Sequence, residues 1–448
     1  MRRYRSGADM KKIMAIFGTR PEAIKMCPLV RELWKREGVD VRVCVSGQHR
    51  EMLSEVLDAF GVRPDHDLSI MRRGQTLTDV TVGVLRGVER VLELETPDAV
   101  LVHGDTSTAL ASALACFYRG VPVGHVEAGL RTYDVLSPYP EELNRRVISL
   151  IARLSFAPTE LAADNLLREG AEPSGVFVTG NTVVDALHTT VREDFVHPLL
   201  EGCKGMRTLI LTAHRRENQG APMKDMLGAV RRAVEETDDV RVIFPVHPSP
   251  LVRQVAGREL GGCKRIILTE PLGVIEFHNI LARCYGVLTD SGGIQEEAAA
   301  LGIPVLVMRE STERPEGVLS GGIRTVGKSG DGVYRALRII LDDPEVYASM
   351  KGRPCPYGDG SASVRIADAL LRFLGNVGVQ DVDMVGVFRG RVLHERCDRN
   401  DREFQKVLVT RVKNMDGGVC HGCLFPLSFG FGCVRFLGVS DLETQIFV

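Results

Sequence analysis

From residue 11 to about residue 374, short apolar runs alternate with segments whose apolar residues recur at helical spacing, a pattern few folds accept. Strands are expected at Lys12–Phe17, Val39–Ser46, Ala99–His103, Val121–Val126, Ser155–Pro158 and Val176–Thr179. Helices are expected at Glu22–Arg36, Glu51–Phe60, Leu77–Leu94, Ser107–Tyr118, Glu141–Leu154 and Thr159–Glu169. The clearest is Leu77–Leu94, where Leu77, Val80, Val84, Val88, Val91 and Leu92 share one face. Continuous apolar strands joined by helices imply a parallel sheet covered on both sides. The stretch Arg192–Met206, with Pro198, two glycines and mixed charge, reads as a crossover. The pattern then restarts, with strands expected at Thr208–Thr212, Val240–Pro245, Arg265–Thr269, Tyr285–Thr289, Val305–Met308 and Ile323–Val326. The reading is an α/β chain of two similar halves with a cleft between them, its ligand held outside the carboxyl ends of the strands. Residues 375–448 break the pattern and read as an extension, and residues 1–9 as a leader.

Composition narrows the function classes. An apolar share of 44% and a charged share of 25% are those of a globular protein, and 448 residues suffice for two domains. A net charge of −2 gives no global field for nucleic acid or membrane, so neither is expected as a partner. No apolar run reaches bilayer length, and Ile13–Phe17 is too short for a signal-peptide core, so a cytoplasmic protein is expected. The cysteines stand singly until position 397, which is reduced usage. Cys420-His421-Gly422-Cys423, with irregular partners at His394, Cys397 and Cys433, is a poor match to zinc spacing, and no metal site is expected.

Polar clusters fall where strands end. Asp290-Ser291-Gly292-Gly293 turns from an apolar strand into a helix beginning near Ile294. Two glycines leave the backbone N–H groups open at the positive end of a helix dipole, which suits phosphate, and Glu297 one turn later suits a ribose hydroxyl. A plain Ser-capped turn is the alternative. Gly18–Lys25 puts Arg20 and Lys25 at the mouth of the first strand, as diphosphate or sugar contacts or as surface charge. Asp105 is either an N-cap or a placed carboxylate. Glu127 lies between a strand and a glycine, and Glu141 opens a helix, where dipole compensation is the bland account. Converging carboxylates would serve proton abstraction and return. His214 follows the first strand of the second half, fit to donate to phosphate or to shuttle a proton. The loop Met308–Gly317 either binds sugar or is solvated.

Taken together, the strings FGTRPEAIKM, SGQHREML, VHGDTSTALA, VEAGLRT, PYPEELNRR, VTGNTVVDAL, TAHRREN, LTDSGGIQEEA, TERPEG and YGDGSAS resemble those of the non-hydrolysing UDP-N-acetylglucosamine 2-epimerases, in the same order. The resemblance implies two Rossmann-like domains of GT-B type, residues 11–190 and 191–362, with a helix near 363–374 crossing back to the first. It implies a homodimer, no cofactor and a UDP-sugar in the interdomain cleft. By motif match, Asp105, Glu127 and Glu141 resemble the catalytic carboxylates. Arg20, Lys25, His214, Ser291, Gly292, Gly293 and Glu297 resemble the nucleotide contacts, with His214 also counted as catalytic. Arg145, Phe277, Arg314 and Glu316 would shape the site. The implied chemistry eliminates UDP across carbons 1 and 2 of the sugar and adds it back on the other face.

Two departures stand out. The family's His-x-Asn-Pro string reads His247-Pro248-Ser249-Pro250 here. Some members bind a second UDP-sugar near positions matching Gln48, Arg215 and His247, but Glu51 and Gly74 replace a glutamine and an arginine of those members, which speaks against such activation. Competing readings are a 2-epimerase of another UDP-2-acetamido sugar, a GT-B glycosyltransferase and a nucleotide-sugar sensor.

Overall fold

The computed structural model describes residues 10–47, 50–72, 74–215, 218–375, 407–413 and 419–426. The chain divides into two units, Met1–Gln380 and Asp381–Val448. In the second, Val407–Lys413 pairs antiparallel with Val419–Pro426. The rest of the 375–448 extension, the 1–9 leader and Gln48 lie outside the described residues.

The first unit holds two sheets, parallel at every strand pairing. One has the order β3-β2-β1-β4-β5-β6-β7, from β1 (Lys11–Phe17), β2 (Val39–Val45), β3 (His66–Asp67), β4 (Ala99–His103), β5 (Val123–Val126), β6 (Leu154–Ala157) and β7 (Val176–Val178). The other has the order β10-β9-β8-β11-β12-β13, from β8 (Arg207–Thr212), β9 (Val240–Pro245), β10 (Ile266–Thr269), β11 (Gly286–Thr289), β12 (Val305–Val307) and β13 (Ile323–Thr325). The expected α/β architecture of two similar halves is what the chain adopts. Central strands are apolar on both faces because helices cover both; Ile13 to Phe17 and Val100 to Val102 are fully buried.

Strand order reverses between β1 and β4 in the first sheet and between β8 and β11 in the second. The loops that leave those strands splay apart and make the crevice where such sheets take ligands. Arg20, Asp105, His214 and Ser291 all follow these four strands, so topology alone gathers them.

Some expected boundaries shift. The helix at Glu141 stops at Ile151, because Leu154 already pairs in β6. The crossover 192–206 contains a short helix, Pro198–Glu201. Strand β3 has two residues, too few to leave a periodic signal. The expected crossing helix spans Ala362–Phe373 and packs on Arg20–Leu33 and Thr182–Thr190 of the first half. Asp185 accepts from the backbone N–H of Ala362 and Ser363 at 3.2 and 2.8 Å, satisfying two donors that its helix start leaves open. Ile366 and Leu370 are fully buried, each contributing roughly 1.5–3 kcal/mol of apolar burial.

Candidate active site

A cleft of ≈ 1720 Å³ runs between the two halves. Its walls include Arg20, Lys25, Asp105, Glu127, Glu141 and Arg145 from the first half, and His214, Phe277, Ser291, Gly292, Gly293, Glu297 and Arg314 from the second. The structure thus brings thirteen of the fourteen sequence-expected site residues to one cavity. Glu316 is not among its walls; it accepts from the Thr159 hydroxyl at 2.5 Å.

Asp105 is not the N-cap. Thr106 holds that place, accepting from the Ala109 N–H, which leaves the Asp105 carboxylate free to accept from Arg145 Nη2 at 2.6 Å. Burial pushes the Asp105 carboxyl up, against the pull of Arg145. Glu141 stands first in its helix; burial raises its carboxyl too, and the nearby Asp105 charge adds to that.

Glu127 is held differently. Its backbone φ is +64°, a conformation that costs a non-glycine residue on the order of 1–3 kcal/mol and that concentrates at functional sites. Its carboxylate accepts from Lys25 Nζ and, at 2.7 Å, from Asn181 Nδ2. Burial alone would raise this carboxyl, but Lys25 foremost, with Arg314 beyond it, holds it well below the usual carboxylate range. Of the three carboxyls, Glu127 alone is shifted down, while Asp105 and Glu141 are shifted up.

In the second half the helix begins at Gly292, two residues before the expected start, so the glycines form its first turn. Ser291 is the N-cap without a side-chain cap bond. A Cβ on Gly292 would lie 2.4 Å from the Arg314 guanidinium, whereas one on Gly293 would meet nothing nearer than Glu297 Oε1 at 4.0 Å. The turn is packed behind Gly292 and open in front of Gly293, as close approach of an anion requires. Glu297 Oε2 is buried without a hydrogen-bond partner, 3.8 Å from His278 Nε2. An acceptor left so is suited to a ligand hydroxyl. His214 Nδ1 lies 3.2 Å from Asp290 Oδ1, and its ring stacks on His247.

The family model described as UDP-N-acetylglucosamine 2-epimerase matches residues 31–371. UDP-N-acetylglucosamine 2-epimerase of Bacillus subtilis is 51% identical over 364 residues, covering 81% of this chain and 96% of the relative. The chain belongs to the UDP-N-acetylglucosamine 2-epimerase family. Two solved structures align closely. S. aureus MnaA, solved with UDP, has a TM-score of 0.80 at 48% identity, covering 82% of this chain and 98% of its own. The Neisseria meningitidis epimerase, bound to UDP-GlcNAc, has a TM-score of 0.78 at 40% identity, covering 81% and 100%.

Within this epimerase fold, two expected contacts are already engaged. Arg20 reaches across the cleft, Nη2 donating to the Leu272 carbonyl at 2.6 Å. Lys25, expected at the diphosphate, donates to Glu127 and to Glu296, the latter at 2.8 Å. Arg314 donates from Nε to Glu296 and from Nη1 to Glu313, at 2.7 and 2.6 Å. Ser249, which replaces the family's asparagine, donates its N–H to His247 Nδ1 at 3.1 Å.

Sequence reading passed over His103, Asn181, Glu296 and Glu313. His103 lines the cleft with both ring nitrogens buried and unpartnered, and burial pulls its pKa down to about 3, so the ring is neutral. Two signals were present. His103 stands two residues before Asp105 at a strand end, and Glu296 sits beside Glu297, one-third of a turn away on the same helix. Among the described residues no group of three or more His, Cys, Asp or Glu side chains could hold a metal, and no helix is long and apolar enough to cross a membrane.

Proposed function

We propose that the chain interconverts UDP-N-acetylglucosamine and UDP-N-acetylmannosamine by eliminating UDP across carbons 1 and 2 and adding it back on the opposite face. In the elimination a carboxylate takes the carbon 2 hydrogen as a proton while the carbon 1–oxygen bond breaks, its electron pair leaving with UDP. Re-addition reverses both changes. Carbon 2 bears no acidifying carbonyl, so the leaving group must be stabilised as it departs.

One observation carries this reading. Three carboxylates in unlike environments from one half face an open helix N-terminus from the other, in one cavity. Environments that separate carboxyl pKa values sort acid from base. Glu127, held ionised, is the base; Asp105 and Glu141, pushed up by burial, are the groups able to hold and return a proton. Backbone N–H groups at Ser291–Gly293, with Arg314 behind them and His214 beside them, would take the diphosphate. Glu297 would take the ribose, and Phe277 would wall the base.

The test is incubation with UDP-N-acetylglucosamine in deuterated water, followed at carbon 2 by NMR. A second UDP-sugar carrying deuterium there is the expected result. Turnover only with another UDP-2-acetamido sugar would shift the substrate, and release of UDP only when an acceptor is added would replace the reaction by glycosyl transfer.

The finer expectations remain part of this proposal. Residues 11–190 with the crossing helix form the first domain and 191–362 the second. The seven cysteines between residues 10 and 375 are all free, which supports a cytoplasmic setting. Leu94, Phe117, Tyr118 and Leu150 are exposed by 62% or more on neighbouring helices of the first half, an apolar face that supports pairing as a homodimer.

A further inference from the structure

Glu296 has no exposed surface and is not among the cleft walls, yet two cations from different halves converge on it. Oε1 accepts from Arg314 Nε at 2.7 Å and Oε2 from Lys25 Nζ at 2.8 Å. Lys25 stands on the first half's Arg20–Leu33 helix, and the same ammonium donates to Glu127. One lysine is thus shared between the carboxylate read as the base and a carboxylate carried by the helix that opens on the phosphate turn.

We propose that Glu296 is a positioning residue for Glu127, acting through Lys25. The inference rests on the epimerase reading above. An ammonium on a flexible four-carbon stem goes where its anions are. With Glu296 in place, Lys25 is drawn toward the second half and its charge is divided. Without Glu296, the ammonium belongs to Glu127 alone, and a carboxylate so fully satisfied is a poorer proton acceptor. The other groups around Glu127 do not replace this link. Asn181 is neutral, His103, 3.7 Å away, is neutral by burial, and Arg314 makes its own bonds to Glu296 and Glu313 and none to Glu127. The arrangement also makes the base depend on where the second half's helix stands, because Glu296 and Gly292 belong to the same helix.

The experiment is steady-state kinetics with UDP-N-acetylglucosamine, slow rates being followed by NMR over hours. Wild-type turnover comes first; its absence overturns the epimerase reading, and this inference with it. Glu296→Gln is expected to lower kcat on the order of ten- to a hundredfold while KM and the affinity for UDP stay within about twofold, since misplacement of a reacting group costs rate without binding. Glu296→Asp, charged but one methylene short, falls between, and it serves under the same criterion if the glutamine variant does not fold. In a Lys25→Met background the Glu296→Gln change should alter the residual rate by less than about twofold, because its route is gone. Three results would overturn the proposal. One is an unchanged kcat, another is a rise in KM that matches the loss of rate, and the third is the same fold loss with or without Lys25.

Discussion

His214 Nδ1 lies 3.2 Å from Asp290 Oδ1, and Asp290 is completely buried at the point where β11 gives way to the phosphate turn. The approach is an electrostatic one, since Oδ1 makes no hydrogen bond of its own. Asp290 Oδ2 accepts from the backbone N–H of His214 and Arg215, at 2.9 Å each, and from Asn218 Nδ2 at 3.0 Å. One side chain fixes the loop that carries a site histidine and sets a buried charge beside its ring.

Asp290→Asn should therefore lower both stability and turnover. Loss of the charge-assisted bonds is expected to cost about 1–3 kcal/mol in denaturant unfolding. Burial pushes this carboxyl up, but the bonds from His214 and the loop outweigh it and hold it below the ordinary value of 3.8. A depressed folded pKa gives stability that is complete above the unfolded value and lost as pH falls through the folded one. Wild type should lose this increment below about pH 4, and the variant should have none to lose.

The two glycines of the turn should respond in opposite ways. Gly292→Ala presses on an Arg314 guanidinium pinned by Glu296 and Glu313, so it should lower the melting temperature and kcat together. Gly293→Ala meets open space and should leave stability within about 0.5 kcal/mol. Its methyl group stands where the anion approaches, so UDP affinity measured by calorimetry should fall. Equal stability losses in both variants would mean the turn is not open in front.

Glu297→Gln should act on nucleotide binding alone. Its unpartnered Oε2 is read as the acceptor for a ribose hydroxyl. A hydrogen bond to a charged group is worth about 1.5–3 kcal/mol, or roughly ten- to a hundredfold in affinity. Wild type should bind a 2′,3′-dideoxy uridine diphosphate more weakly than UDP by that factor, and the variant should hardly distinguish the two.

His103 should make the protein acid-sensitive. Its folded pKa, about 3, lies below the ordinary 6.5, so between those values the unfolded chain binds a proton that the folded one refuses. Stability then falls as pH falls across that window. His103→Gln removes the term, so the stability difference between variant and wild type should move in the variant's favour by about 1 kcal/mol from pH 7 to pH 5.5. Urea melts at the two pH values measure it.

The halves, their parallel sheets and nearly every strand are legible in the order of apolar runs, because a strand buried on both faces must be continuous in apolar residues. Most of the cleft residues are legible because they follow strand ends, where α/β sheets place ligands, whereas Arg145, Phe277 and Arg314 were reached only through the family resemblance. What sequence does not reveal is partnership. Nothing in the string around Lys25 says that its ammonium meets Glu127, 102 residues on, and Glu296, 271 residues on. Nor does spacing distinguish Glu296 from Glu297. Only the direction in which each leaves the helix sends one to the cleft and the other to a buried lysine. Asp105 was ambiguous for a related reason, since a cap and a catalytic carboxylate share the same sequence position until Thr106 is seen to hold the cap.

The helix Ala362–Phe373 closes the first half although it follows all of the second. On the ribosome, β7 ends at Val178, so its half must wait for nearly two hundred further residues before that helix can dock. At ordinary elongation rates the delay is roughly 10–40 s, long on the scale of domain folding. The second half has its strands in hand by Thr325 and can fold while the first still lacks a wall. Birth order and folding order are therefore expected to run in opposite directions in this chain, and a stall in translation before residue 362 should leave the earlier-made half, not the later one, exposed to proteases.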